Sequence, residues 1–367
     1  MKIRHVKVSE LPGFIDSDEF INSNVIPITR SRAISQFHNP AADPNDTALI
    51  LVLDANDEIT GYIGILPCFI YKNNQKQKIY SNTGWWVHPI KGRKASMILF
   101  YAMVEICGSS LFFADLTPHT TQILKATGFF EFPEPVIGVK LFLKFSLQTY
   151  LPRKSWGLKW TRPFLKRTDN FLNGMLSSLY PSRRGTKENY EILIQRTGFV
   201  DDESADLIRS EPKDEVILRR QTDLNWILKF PWLRISDQKE DNESQKYYFS
   251  TISKEFSNYC YKIFRRNTLV GFVFLTSREG NFKLPYYFCR VEDNDYIFST
   301  IVNLLFQLKA VSFTTWNSDL IAFMQGKPRF FIYKKIIIKQ EAFSKELFDF
   351  IPGKPKFQDG DGDMVFT

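Results

Sequence analysis

Histidine and cysteine are scarce, four of each in 367 residues. His5, His38, His88 and His119 are scattered, so none has the spacing of a metal site, and none is expected. Cys68, Cys107, Cys260 and Cys289 are equally far apart, and three sit in apolar runs. Without a CxxC pair, neither a zinc knuckle nor a disulfide framework is expected, and a reducing compartment is the simplest reading. The first residues, MKIRHVKVSELPGF, lack the apolar core of a secretory leader. No uninterrupted apolar run reaches the length of a bilayer span. These absences lead to the expectation of a cytoplasmic protein. Acidic balance is missing too: 48 Lys+Arg against 40 Asp+Glu leave a formal charge of +8. That favours phosphates, nucleotides or an acidic membrane face without choosing among them. Nucleic acid is not the expected partner, because many enzymes of phosphorylated ligands are this basic.

What is present suits sizeable cores: 44% of residues are apolar, with 34 Phe and 15 Tyr that fit aromatic-rich strands. At about 150 residues per domain, the length suggests two domains. TALILVLD (47–54), ITGYIGILPCFIY (59–71) and KIYSNTGWWVHP (78–89) are three β-runs joined by polar turns, an antiparallel meander. ASMILFYAMVEIC (95–107) is too long an apolar run for a strand and places Ile98, Leu99, Ala102 and Ile106 on one helical face. LFFADL (111–116) reads as a strand, PHTTQILKATGF (118–129) as a helix stopped at Gly128, and VIGVKLFLKFSL (136–147) as the strand that closes the unit. A helix between two strands of one sheet makes a parallel crossover, so the sheet is expected to be mixed, parallel around residues 80–116. The second half echoes this order from YEILIQRTGF (190–199) to RFFIYKKIIIKQ (329–340), with little residue identity. The expected class is α/β (α+β): units at 1–147 and 190–367, each a mixed sheet flanked by helices, joined by a basic aromatic segment at 148–189. That segment carries nine Lys/Arg through Lys187, together with Trp156, Trp160, Phe164 and Phe171. It reads either as a linker helix packing its aromatics between the units or as an element lying on an anionic membrane surface.

Between the strand ending near Val87 and the helix starting near Ala95 lies a basic bend: Lys91, Gly92, Arg93, Lys94, Ala95 and Ser96. The first amides of a helix lack internal partners, and the helix dipole adds positive charge there. With Gly92 allowing a close backbone approach, the bend fits an anion cradle for a diphosphate. The same residues equally fit a solvated basic turn.

The run Val87-His88-Pro89-Ile90-Lys91-Gly92-Arg93-Lys94-Ala95-Ser96 resembles the GNAT superfamily of acyl-CoA-dependent N-acetyltransferases. That family has a strand ending in V-x-P, a loop of form [RQ]-x-x-G-x-[GA], then a helix. Lys91 stands at the Arg/Gln position and Lys94 where Gly is usual. LFFADLTPHTTQILKATGFFEF (111–132) resembles the later strand, helix and "GF" of the family, with Gly128-Phe129 in place. The resemblance covers residues 1–146. It implies two GNAT-like domains, the second degenerate. It also implies an acetyl-CoA donor lying between strands 78–88 and 111–116. Backbone of Trp86 and Val87 would hold the pantetheine arm, amides from Lys91 to Ser96 the phosphates, and Thr117 and Thr121 would face the arm. The family's usual proton donor, a Tyr four residues before the Gly of "GF", is replaced by Leu124. His88, Asp115 and His119 are the nearby titratable residues and the expected catalytic set, each also explicable as a surface or capping group.

In the second half, Glu292-Asp293-Asn294-Asp295 stand where the cofactor loop would be, and acidic residues there repel a diphosphate while suiting a helix N-terminus. The tail FQDGDGDMVFT spaces Asp359, Asp361 and Asp363 like the start of a calcium loop but lacks its closing Glu, so a turn is the simpler reading. Such tails resemble those of acyltransferases from surface-polysaccharide loci. The expected function is acetyl transfer to the amine of a small molecule, an amino sugar being the favoured acceptor. Two alternatives stay open: a non-catalytic GNAT pair acting as an interaction module, and a Fem-like aminoacyltransferase.

Overall fold

The computed structural model describes residues 1–72, 75–92, 94–154, 157, 160–179, 192–210, 215–236, 242–326, 330–351 and 356–366. Strand β1 (Lys2–Lys7) is followed by three short helices, α1 (Leu11–Ile15), α2 (Asp18–Asn22) and α3 (Arg30–Phe37). The meander β2 (Thr47–Leu53), β3 (Ile59–Lys72) and β4 (Gln75–Val87) leads through helix α4 (Ala95–Cys107) to β5 (Leu111–Phe113). Helix α5 (Pro118–Thr127), β6 (Phe130–Glu131) and β7 (Val136–Phe142) come next, then a helical hairpin, α6 (Leu147–Lys154) and α7 (Arg162–Leu179).

The second half opens with β8 (Ile192–Thr197), α8 (Asp202–Ser210) and α9 (Gln221–Lys229). A small parallel pair, β9 (Arg234–Ile235) and β10 (Ile252–Ser253), brackets α10 (Asn242–Lys246). A second meander follows: β11 (Phe256–Arg265), β12 (Thr268–Arg278) and β13 (Asn281–Cys289). Helix α11 (Asn294–Gln307) crosses to β14 (Ser312–Thr315), and α12 (Ser318–Gln325), β15 (Tyr333–Lys339), β16 (Ala342–Ser344) and α13 (Lys345–Phe350) complete the order.

Two seven-stranded mixed sheets result, β1-β2-β3-β4-β5-β16-β6 and β8-β11-β12-β13-β14-β7-β15. Position by position the two orders correspond, as expected of a duplicated α/β unit. One exchange breaks the chain order. The strand expected to close the first unit, β7, lies in the second sheet, paired with β14 and β15. In return β16 enters the first sheet between β5 and β6. Each half therefore completes the other's sheet, and both strands satisfy two ladders where an edge would have been left open.

The first core has two sides. Strand β2 is buried on both faces, so its sequence is an unbroken apolar run and does not alternate. Ile50 and Val52 pack against Leu99, Phe100 and Met103 of α4. Leu49, Leu51 and Leu53 pack against Leu11, Phe14 and Phe20 on the opposite side. On α4 the buried residues are Ala95, Leu99, Phe100, Ala102, Met103 and Cys107. The expected face is thus rotated: Ile98 and Ile106 are only partly buried.

Candidate active site

Strands β4 and β5 are parallel but pair only at Tyr80–Leu111 and Ser81–Phe112. Beyond Ser81 they part. A bulge opposite Gly64 and Ile65 deflects β4 at this point. The gap is a cavity of about 500 Å³, walled by Asn82, Thr83, Gly84, Trp85 and Val87 on one side and Phe113 to Thr117 on the other. Ser96 of α4 and His119, Thr120 and Ile123 of α5 line its mouth, while Arg32, Phe249, Ser250, Asp363 and Met364 also face it.

The equivalent gap in the second sheet is filled. Strand β13 pairs with β14 only from Asn281 to Lys283. Beyond, the tail runs in: the Gly360 amide donates to Pro285 O at 2.9 Å, and the Tyr287 amide donates to Gln358 Oε1 at 2.8 Å. Asp359 accepts from Thr315 Oγ1 at 2.6 Å and from the Trp316 amide at 3.1 Å. The Tyr286 hydroxyl donates to Gly360 O at 2.8 Å. At the second splay the described tail residues thus occupy the gap between β13 and β14, and this occupation, not the acidic residues of 292–295, is what fills the equivalent position.

From that plug the tail crosses to the first splay. Gly362 has φ +77°, and a side chain there would meet Ala114 at 3.0 Å. This brings Asp363 to the open cavity, half-buried. Burial pushes its carboxyl above the usual range; Arg32 and Lys283 oppose that, and Asp115 adds to it. Arg32 is 4% exposed. Its guanidinium lies 4.4 Å from the Trp232 ring and 5.1 Å from the Tyr247 ring, and Nη1 donates to Thr83 O at 3.3 Å. Its Nε has no hydrogen-bond partner among the described residues. A carboxyl whose charged form burial disfavours, lining the same cavity as a fixed cation, is placed to take and return a proton.

The bend before α4 is closed on itself. The amides of Ile90 and Lys91 donate to His88 Nδ1 at 3.2 and 3.1 Å, and that of Gly92 to His88 O at 2.8 Å. The amides of Ala95 and Ser96 donate to Gly92 O at 2.9 and 3.3 Å. A side chain at Gly92 would lie 2.5 Å from His88 O and 2.9 Å from Thr60 O. The close approach that requires glycine is thus to the protein's own backbone. Lys91 Nζ lies 2.8 Å from Glu58 and 3.5 Å from Asp54, so its charge is compensated. Lys94 is exposed, and Arg93 lies outside the described residues.

Of the residues expected at the site, Val87, Ser96, Asp115, Thr117 and His119 line the cavity. The Trp86 ring turns to the other face of β4 and stacks on Tyr62 at 5.4 Å. His88 holds the turn. Thr117, not Asp115, caps α5, accepting from the Thr120 amide at 3.2 Å, and Thr121 Oγ1 donates to Thr117 O at 3.0 Å. Asp115 takes a left-handed backbone, φ 49°, at the end of β5. Leu124 is fully buried in the α4 core. Sequence reasoning missed Arg32, Phe249 and Ser250, which carry no motif. It noticed Asp363 only as part of an alternating Asp run.

No protein-family model and no curated protein matches this sequence. Solved structures do match in fold. A GCN5-related N-acetyltransferase from Anabaena variabilis ATCC 29413 superposes with TM-score 0.50 at 10% identity, over 93% of this chain and 72% of the other. A conserved protein from Enterococcus faecalis V583, described as a probable N-acyltransferase, gives TM-score 0.50 at 10% identity over 94% and 73%. Saccharomyces cerevisiae N-myristoyltransferase, solved with bound myristoyl-CoA and inhibitors, gives 0.51 at 9% identity over 99% and 84%. The chain has the GNAT fold, and its two sheets are two copies of that unit in tandem.

Proposed function

We propose that this protein is an acyl-CoA-dependent N-acyltransferase with one working site, the β4/β5 splay, and that acetyl-CoA is its donor. One observation carries the reading: of two equivalent splays, one is open as a 500 Å³ cavity while the chain's own tail occupies the other. The acyl-pantetheine arm lies along Trp86 and Val87 of β4, with Thr117 and Thr121 on the α5 side. The nucleotide end points to the bend from Lys91 to Ser96. Because four of its amides already have acceptors, the charges of Arg93 and Lys94 and the α4 dipole carry more of the diphosphate than an amide nest would.

The donor supplies an activated acyl group; the chain supplies position and proton transfer. Asp363 takes the proton from the acceptor ammonium, leaving a neutral amine able to attack. Asp115 orients that amine from the β5 side. As the tetrahedral adduct collapses, its C–S bond breaks and the nitrogen gives up its second proton, which His119, in the first turn of α5, passes to the departing sulfur in place of the absent Tyr. Small primary amines, amino sugars first, are the acceptors to screen. The test is thermal shift with acetyl-CoA and longer acyl-CoAs, then thiol release across an amine panel. A rise in melting temperature with acceptor-dependent thiol release supports the reading. No shift at millimolar acyl-CoA removes it.

Two observations favour a second reading. The self-bonded bend and buried Leu124 suit a GNAT pair that has kept the fold and lost the donor, an interaction module. That reading requires neither shift nor thiol release.

A further inference from the structure

Among the described residues that line the open cavity, Arg32 is the only Lys or Arg. It sits in the first turn of α3, where Thr29 Oγ1 accepts from its amide at 3.3 Å and fixes the helix start. Its neighbour Ala33 belongs to the core on the face of the first sheet opposite α4. The cavity is therefore lined from both faces of that sheet. Ser96 of α4 and His119 of α5 stand on one face, and Arg32 of α3 and Phe249 on the other.

A buried cation is costly unless it is paired. The Trp232 and Tyr247 rings lie against the Arg32 guanidinium, but ring faces cover such a group without engaging the N–H donors along its edge. Of those donors, Nη1 reaches Thr83 O, while Nε reaches no acceptor among the described residues. No described carboxylate is in ion-pair contact with it. The cation is thus fixed in place with donors left over. Ser250 lines the same cavity; its Oγ accepts from Arg278 Nη2 at 2.6 Å, which leaves its own proton for another acceptor. Asp363 and Asp115 are the carboxylates of the wall. The cavity therefore offers a fixed cation to an anion and carboxylates to an ammonium, the complement of a zwitterion.

We propose that the acceptor carries a carboxylate as well as its amine, and that Arg32 selects it by binding that carboxylate. The inference rests on the acyl-transfer reading and narrows its acceptors from amines in general to amino acids and acidic amino sugars. A guanidinium edge can hold both oxygens of a carboxylate in its plane, and the Ser250 hydroxyl adds a further donor. Asp363 is then left to the amine. A carboxylate suits this wall better than a phosphate. A lone cation matches a single negative charge, whereas a dianion would meet Asp363 and Asp115 with its second charge uncompensated.

The full chain is tested first without a donor. Isothermal titration compares muramic acid with glucosamine, and glycine with glycinamide, pairs in which one member has the carboxylate and the other lacks it. The carboxylated member should bind roughly tenfold or more tighter. Thiol release from acetyl-CoA should show a preference of similar size in kcat/KM. Both preferences should fall to near unity in Arg32→Gln, and Arg32→Lys should retain only part of them, because it keeps the charge and loses the fork. Each preference is a ratio within one variant, so a general loss of stability or turnover does not imitate the effect. Should circular dichroism show Arg32→Gln unfolded, Arg32→Lys and Ser250→Ala take its place, and Ser250→Ala should lower the preference severalfold. Equal affinity within both pairs, or no binding by any member at millimolar concentration, overturns the proposal. So does a preference that survives Arg32→Gln, or tighter binding of phosphorylated glucosamine than of muramic acid. If no amine releases thiol, the acyl-transfer reading fails, while the titrations still decide the carboxylate site.

Discussion

Three aspartates two residues apart meet three different fates. Asp359 is buried at the second splay, and burial pushes its carboxyl up to about 6 against the bonds from Thr315 and Trp316. The folded protein then holds a proton that the unfolded chain has released, so this residue's contribution to stability is greatest below pH 4 and falls as pH rises toward 6. Relative to Asp359→Asn, the wild type should lose on the order of 2–3 kcal/mol of unfolding free energy across that interval, measured by urea titration at each pH. Asp361 lies 3.7 Å from buried Arg219. Asp363 alone reaches the open cavity. As the base it should set the acid limb of the rate profile above the ordinary carboxylate range. Asp363→Asn should cut turnover by about a hundredfold or more while leaving the acyl-CoA thermal shift intact. Full activity of that variant would remove Asp363 from the mechanism. The alternation of these residues was plain in the sequence. Their roles were not, because burial is set by what the tail packs against.

At the scale of elements, the strand–bend–helix from β4 to α4 was legible and the state of its amides was not. A strand, a basic turn and an apolar helix follow from composition and periodicity. Whether the turn's N–H groups face outward depends on His88, whose ring accepts two of them. Gly92→Ala tests the closed bend. Its methyl group would be forced against His88 and Thr60 backbone, so a loss of about 1–3 kcal/mol is expected in chemical denaturation, with weaker acyl-CoA binding alongside. Wild-type stability in that variant would mean that the bend opens readily. The face of α4 was also only partly readable. Apolar residues surround that helix, and only its seat against β2, β3 and β4 selects the buried ones.

For the whole molecule the exchange of β7 and β16 matters most. Residues 1–147 look like a complete unit in sequence, yet without β16 the β5 edge and β6 lose the strand between them. Expressed alone, that fragment should lack a cooperative thermal transition, whereas the full chain should melt with its two sheets coupled; calorimetry distinguishes the two cases. Adding the β16 segment as a peptide should restore order to the fragment. By itself the sequence determined the class of the elements from β2 to α5, the loose echo of their order in the second half and the mixed sheet, because hydrophobic period and turn residues act over a few neighbours. Tertiary structure alone decided which splay stays open, that Asp363 and Arg32 line one cavity, and which half owns each sixth strand. Those outcomes rest on contacts between residues from about forty to more than two hundred positions apart, and no local pattern in the chain encodes them.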